Sequence, residues 1–165
     1  MPKPSREDAR LARSAARLAA VQALYQIELT GADWRSVRQE FEQHRLGAEI
    51  EGETYREADI DLFRDILGGV IAEQRAIDRM TDRALVDRWP LGRVDPTMRA
   101  VFRAAGHELS ARSDIPPKVV IGEYVDVTKA FFAQGRESKF VNAVLDHMAR
   151  EARPTQMPPR TDEAT

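Results

Sequence analysis

Apolar residues recur at three- and four-residue intervals along nearly the whole chain, and no stretch alternates apolar and polar positions as a half-buried strand would. Leu11, Ala15, Leu18, Tyr25 and Leu29 form one such line, and Phe63, Ile66, Val70 and Ile77, flanked by Leu62, Leu67 and Met80, form a second. Met98, Val101, Phe102, Ala105 and Leu109 form a third; Val120, Tyr124, Val127 and Phe131 a fourth; Phe140, Val141, Val144, Leu145 and Met148 a fifth. Trp34, Val37 and Phe41 mark a shorter helix, and Leu85, Trp89, Pro90 and Leu91 another short helix and turn. The pattern predicts an all-α fold, a single compact helical domain of about seven helices with short connections.

Local signals set the boundaries. Thr30 and Gly31 stop the first helix, Asp33 is placed to cap the next, and the long helix from about Glu57 to Thr81 holds Gly68 and Gly69 where a neighbouring helix can approach closely. Asp95 followed by Pro96 is the clearest start, a capping carboxylate ahead of a proline whose missing N–H costs nothing at the first helical position. Ser113, Asp114, Pro116 and Pro117 make a tight connection, Gly135 closes the helix through Phe131, and the acidic stretch from Gln43 to Arg56 reads as a solvated loop. The expected organisation is a basic N-terminal arm over residues 1–8, a helical domain over 9–150 and a disordered proline-rich tail over 151–165.

Composition narrows the function. A chain of 165 residues with 42% hydrophobic and 32% charged residues fits one soluble domain, and no run of about 18 apolar residues marks a membrane span or leader, which places the protein in the cytoplasm. With no cysteine, disulfides and thiolate chemistry are excluded. His44, His107 and His147 lie far apart and lack metal-ligand spacing, and neither a phosphate-cradling loop nor a nucleophile elbow occurs, so catalysis, cofactors and metals are not expected. The net charge of −2 hides an asymmetry: residues 1–20 carry +3, whereas residues 40–61 carry −6. A basic face on an acidic protein points to local contact with an anionic partner.

Arg6, Arg10, Arg13 and Arg17 share one face of the first helix, at intervals that suit a phosphate backbone. Glu7 stands three residues before Arg10, so an ion-paired, solvated surface fits this pattern as well. Further along, Arg136 and Lys139 flank Ser138 ahead of Phe140, which brings basic side chains, helix N–H groups and an aromatic together as a single-strand site does. The bland alternative is a core Phe140 and a capping Ser138.

Four stretches, AAVQALYQIEL, FRDILGGV, RAVFRAAGHELSARSDIPPKVVIGE and SKFVNAVLD, resemble in order and spacing the transcription antitermination factor NusB family, over about residues 9 to 149. The resemblance implies an all-helical RNA-binding protein without catalytic activity. It would pair with ribosomal protein NusE, bind boxA-type single-stranded RNA in nascent ribosomal RNA transcripts and serve the RNA polymerase antitermination complex. It implies RNA contact at Arg13 and Arg17, and extends to Lys139 and Phe140 of the Lys-Phe-Val-Asn motif; Tyr25 falls on the NusE-facing side. Met98 stands where some members carry an acidic residue facing NusE, and His107, Gly122 and Ala143 replace a usual Tyr, Asn and Gly. An alternative function is a protein-interaction scaffold or homodimer whose basic helix docks on an acidic surface.

Overall fold

The structure, a computed structural model, describes residues 5–46, 49–50, 53–54, 58–85 and 91–157. Among them are six α-helices, α1 (Arg6–Thr30), α2 (Trp34–His44), α3 (Ile60–Ala84), α4 (Pro96–Ala111), α5 (Pro117–Phe131) and α6 (Gly135–Ala152), with a 3-10 turn at Leu91–Arg93. The all-α expectation holds. The stretch read as a loop contains a minimal antiparallel ladder, Glu49–Ile50 against Glu53–Thr54. Most of the short helix expected around Trp89 lies outside the described residues, with the 3-10 turn following it.

Helix α4 occupies the centre, packed by α1, α3, α5 and α6. Its sequence suits that place: Ala100, Val101, Phe102, Ala104, Ala105 and Leu109 are at most 2% exposed, and the alanines let four neighbours approach. Phe63, Ile66 and Leu67 of α3 and Val141, Leu145 and Met148 of α6 complete the interior. Burying each such large side chain contributes about 1.5–3 kcal/mol before conformational entropy is counted.

The ends follow the expected chemistry in most places. Ser5 accepts the Asp8 N–H at 3.0 Å, Asp59 the Leu62 N–H at 2.9 Å, and Asp95 the Thr97 N–H at 2.8 Å ahead of Pro96. Asp33 occupies the N-cap position of α2 without making a side-chain bond, and Gly31 ends α1 at φ +70°, a conformation that favours glycine. Gly135 opens α6 rather than closing α5.

Gly69 meets the expectation of close approach. A Cβ there would fall 2.0 Å from the His107 ring of α4, whereas one on Gly68 would meet open space. His107 in turn lies 3.0 Å from the Asp65 carboxylate, so the imidazole has a structural place between α3 and α4.

Two boundaries differ from expectation. Residues 6–8 belong to α1 rather than to an arm, because Ser5 supplies the cap. At the other end α6 runs to Ala152, and Arg153 and Met157 are buried. The Arg153 guanidinium donates to the carbonyls of Glu108 and Leu109 at 2.8 Å and of Ile115 at 2.6 Å, and also bonds that of Arg112. It adds to the backbone donors at this helix end, where the Arg112 N–H already bonds the Glu108 carbonyl and the Ile115 N–H that of Arg112, and it supplies the Leu109 carbonyl as well.

Candidate nucleic-acid interface

The basic face of α1 divides into two parts. Arg6 is exposed and Arg13 half-buried, and neither has a hydrogen-bonded or ion-pair partner among the described residues. Arg10 is exposed but pairs with Glu7 at 2.7 Å, which holds its guanidinium pKa above the usual value.

Arg17 is not on the surface. It is 1% exposed, and its Nε and Nη2 each lie 3.0 Å from a Glu108 carboxylate oxygen, with Glu123 at 3.4 Å from Nη1. The buried Tyr124 hydroxyl donates to the same Glu108, and Ser14 donates to Glu123 at 2.9 Å. Burial opposes the charge on Arg17, but the bonds and charge of Glu108 outweigh it and the pKa is raised. Arg17 therefore leaves the set of expected RNA contacts: a phosphate could reach it only by displacing a buried carboxylate. The sequence carried a sign of this, because the next residue along the same helical line is the fully buried Val21.

At the N-terminus of α6, Arg136 and Lys139 are exposed and Phe140 is half-buried, its ring edge-on to Phe102 with centroids 6.1 Å apart. Phe140 is thus packed in part against the core, as the plainer reading expects. Ser138 is buried and donates to the Gly135 carbonyl at 3.0 Å instead of capping the helix. Arg136 and Phe140 line a cavity of about 470 Å³ together with Arg93, Val94, Asp95, Met98 and Glu137. Met98, expected on a protein-facing surface, shares this cavity with two residues expected to meet RNA. Arg93 and Glu137 were not singled out by the sequence, since they match no spacing rule.

Tyr25 borders a second cavity of about 480 Å³, whose lining includes Leu29, Phe41, Thr97 and Phe131. Tyr25, Leu29 and Phe131 are 38%, 55% and 38% exposed, a cluster of large apolar side chains open to solvent. Such clusters mark interaction surfaces more often than chance.

The two basic regions are at opposite ends of the bundle. Arg17 pairs with Glu108 and Glu28 with Arg99, at 2.7 Å, so α1 and α4 run antiparallel. The surface arginines lie beyond the C-terminal end of α4, whereas Met98 and its cavity lie at the N-terminal end. From Met98 to the end of α4 at Ala111 the helix rises about 20 Å, or roughly six stacked nucleotides, and the surface arginines lie beyond that.

Among the described residues no group of three or more His, Asp or Glu side chains is placed to hold a metal ion, and no helix is long and apolar enough to cross a membrane.

Residues 14–150 match the model of the NusB family. A transcription antitermination protein NusB from Bradyrhizobium sp. (strain BTAi1 / ATCC BAA-1182) is 50% identical over 148 residues, 90% of this chain and 87% of the relative. The NusB of Sinorhizobium fredii (strain NBRC 101917 / NGR234) is 51% identical over 141 residues, 86% of this chain and 88% of the relative. Among solved structures, T. maritima NusB superposes with a TM-score of 0.70 at 27% identity, covering 94% of this chain and 98% of that one. A NusB solved with NusE and double-stranded RNA gives a TM-score of 0.69 at 19% identity, over 86% and 98% of the two chains, which shows a common fold.

Proposed function

Because the chain belongs to the NusB family, we propose that it is a cytoplasmic transcription antitermination factor that acts by binding rather than by catalysis. It pairs with ribosomal protein NusE and holds boxA-type single-stranded RNA in nascent ribosomal RNA transcripts, as part of the RNA polymerase antitermination complex. The observation that carries the RNA-binding part is the pair of guanidiniums, Arg6 and Arg13, on one face of α1, which have no partner among the described residues. A guanidinium with no internal acceptor is available to phosphate, and α1 fixes the spacing between the two.

In this reading Arg6, Arg10 and Arg13 hold the strand at one end of the bundle and Arg136 and Lys139 hold it at the other, with Phe140 offering its free edge to a base. Arg10 contributes after giving up Glu7, a surface pair that costs little to open. Tyr25, with Leu29 and Phe131 beside it, supports a protein partner at the apolar cluster.

RNA binding measured on boxA and scrambled RNA, with and without NusE, tests the reading. Changing Arg6, Arg10 and Arg13 together to Ala is expected to weaken binding and to reduce the salt slope by about 0.7 for each phosphate that is no longer neutralised. Unchanged affinity and slope would remove the arginine face from the interface. The apolar cluster also favours a second reading, a homodimer formed across it, and light scattering of the chain alone distinguishes that from a monomer.

A further inference from the structure

We infer that Arg93 is a phosphate contact of the RNA site, sharing its cavity with Arg136, and that Arg99 is the positioning residue that presents it. The inference rests on the RNA-binding reading and adds to it one contact and the means by which that contact is held.

Arg93 and Arg136 come from different elements, the 3-10 turn and the start of α6, and line the same cavity. Both are exposed, and neither has a hydrogen-bond or ion-pair partner among the described residues. Asp95 and Glu137 line the cavity too, but neither pairs with these arginines, and Asp95 is engaged with the Thr97 N–H at 2.8 Å. Two unpaired guanidiniums beside one opening, with the exposed Lys139 one turn along α6 from Arg136, suit an anion that runs past them, as a sugar-phosphate backbone does.

An unpaired surface arginine is ordinary; what distinguishes Arg93 is the turn beneath it. Arg99 Nη1 donates toward three of its carbonyls, Leu91 at 3.2 Å, Gly92 at 3.3 Å and Val94 at 2.6 Å. The Val94 N–H closes the turn on the Leu91 carbonyl at 3.1 Å, and Asp82 of α3 accepts the Leu91 N–H at 3.1 Å. Leu91 and Val94 are buried and Gly92 has no side chain, so Arg93 is the side chain that the turn presents to solvent. The other edge of the Arg99 guanidinium is fixed as well: Nε and Nη2 hold Glu28 of α1 at 2.7 and 2.8 Å. Arg103 joins Glu28 at 3.1 Å and Asp78 at 3.0 Å. These two arginines and two carboxylates sum to zero charge, so the network fixes the turn without cancelling the charge of Arg93. A backbone already held under the cation reduces the ordering that binding must impose.

The test uses the full chain and labelled boxA-type RNA, with binding followed by fluorescence anisotropy over a range of salt, with and without NusE. The unaltered protein is compared with Arg93→Ala, Arg99→Lys and the double variant, and circular-dichroism melting verifies the fold. Arg93→Ala is expected to weaken binding by up to about fivefold and to lower the salt slope by about 0.7. Lysine at position 99 keeps the charge but lacks the planar fork that reaches Glu28 and the turn together. Arg99→Lys is therefore expected to weaken binding by up to the same factor, and to add nothing once Arg93 is Ala. A merely structural Arg99 would lower the melting temperature and leave RNA affinity unchanged, or weaken it equally in both backgrounds; either result overturns the positioning role. Unchanged affinity and slope in Arg93→Ala overturn the contact, while salt-dependent binding by the unaltered protein leaves the RNA reading intact. Absence of binding by the unaltered protein, with or without NusE, overturns both. If Arg93→Ala alters only the affinity for NusE, the guanidinium serves a protein surface and the phosphate assignment fails. Arg93 is at the surface, so its variant is expected to fold and decides the contact even where Arg99→Lys does not fold.

Discussion

Arg17 and Glu108 are joined by two parallel hydrogen bonds of 3.0 Å between α1 and α4, with the side chains 1% and 0% exposed. The residues are 91 positions apart, so the pair fixes both the rotation of α1 and its height against the central helix. That registration decides which arginines of the basic face remain outside.

Replacing Arg17 by Ala leaves the Glu108 carboxylate buried with Tyr124 as its remaining close partner. A loss of about 3–5 kcal/mol is expected in urea unfolding. Replacing Arg17 and Glu108 together by Met is expected to cost much less than the sum of the single changes, because no charge is then stranded. Additive losses would show that the pair is not a unit.

Tyr124 predicts an alkaline limit. Burial first, and then the adjacent Glu108 charge and hydrogen bond, raise its pKa well above the usual 10. Below pH 10 the phenol is protonated in both folded and unfolded chains, and this contribution to stability is complete. Above pH 10 the unfolded chain releases the proton and the folded chain does not, so stability falls as pH rises. The melting temperature should decline above pH 10, and less steeply in Tyr124→Phe. Equal slopes for the two proteins would contradict the assignment.

Arg153→Ala should destabilise the fold by about 3 kcal/mol, since four carbonyls at and after the end of α4 lose a charged donor together, two of them keeping only a backbone N–H. Hydrogen exchange localises the effect: faster exchange is expected first around residues 108–116. Uniform acceleration across all helices would mean that the guanidinium has no special relation to α4.

The adjacent glycines of α3 should respond with opposite signs. Gly69→Ala places a methyl group 2.0 Å from the His107 ring and must dislodge it from Asp65, a loss of about 1–3 kcal/mol. Gly68→Ala meets open space and gains up to about 1 kcal/mol from helix propensity. Thermal melts of the two variants give the comparison, and a stabilised Gly69→Ala would refute the packing argument.

Local chemistry was legible in the sequence where it acts over a few residues. Asp95 before Pro96 marked the start of α4, Gly31 the end of α1, and the three- and four-residue spacing of apolar side chains all six helices. What could not be read is chemistry completed by distant partners. The arginine face looked continuous because helical spacing cannot show that Glu108 waits for Arg17 inside the core. The residues after Arg150 looked like a tail because prolines predict no helix, yet Arg153 and Met157 are held by tertiary packing. The cavity lined by Arg93 and Arg136 forms only when two helix N-termini meet, and neither stretch alone carries its signature.

The guanidinium of Arg153 reaches back 44 residues to the Leu109 carbonyl. During synthesis this is a matter of order: α4, the helix that the others surround, leaves the ribosome long before the residue that finishes its end. Until α6 and Arg153 have emerged, the nascent protein has a central helix with open carbonyls and an uncovered apolar flank, so its native state must be reached late and as a whole rather than helix by helix.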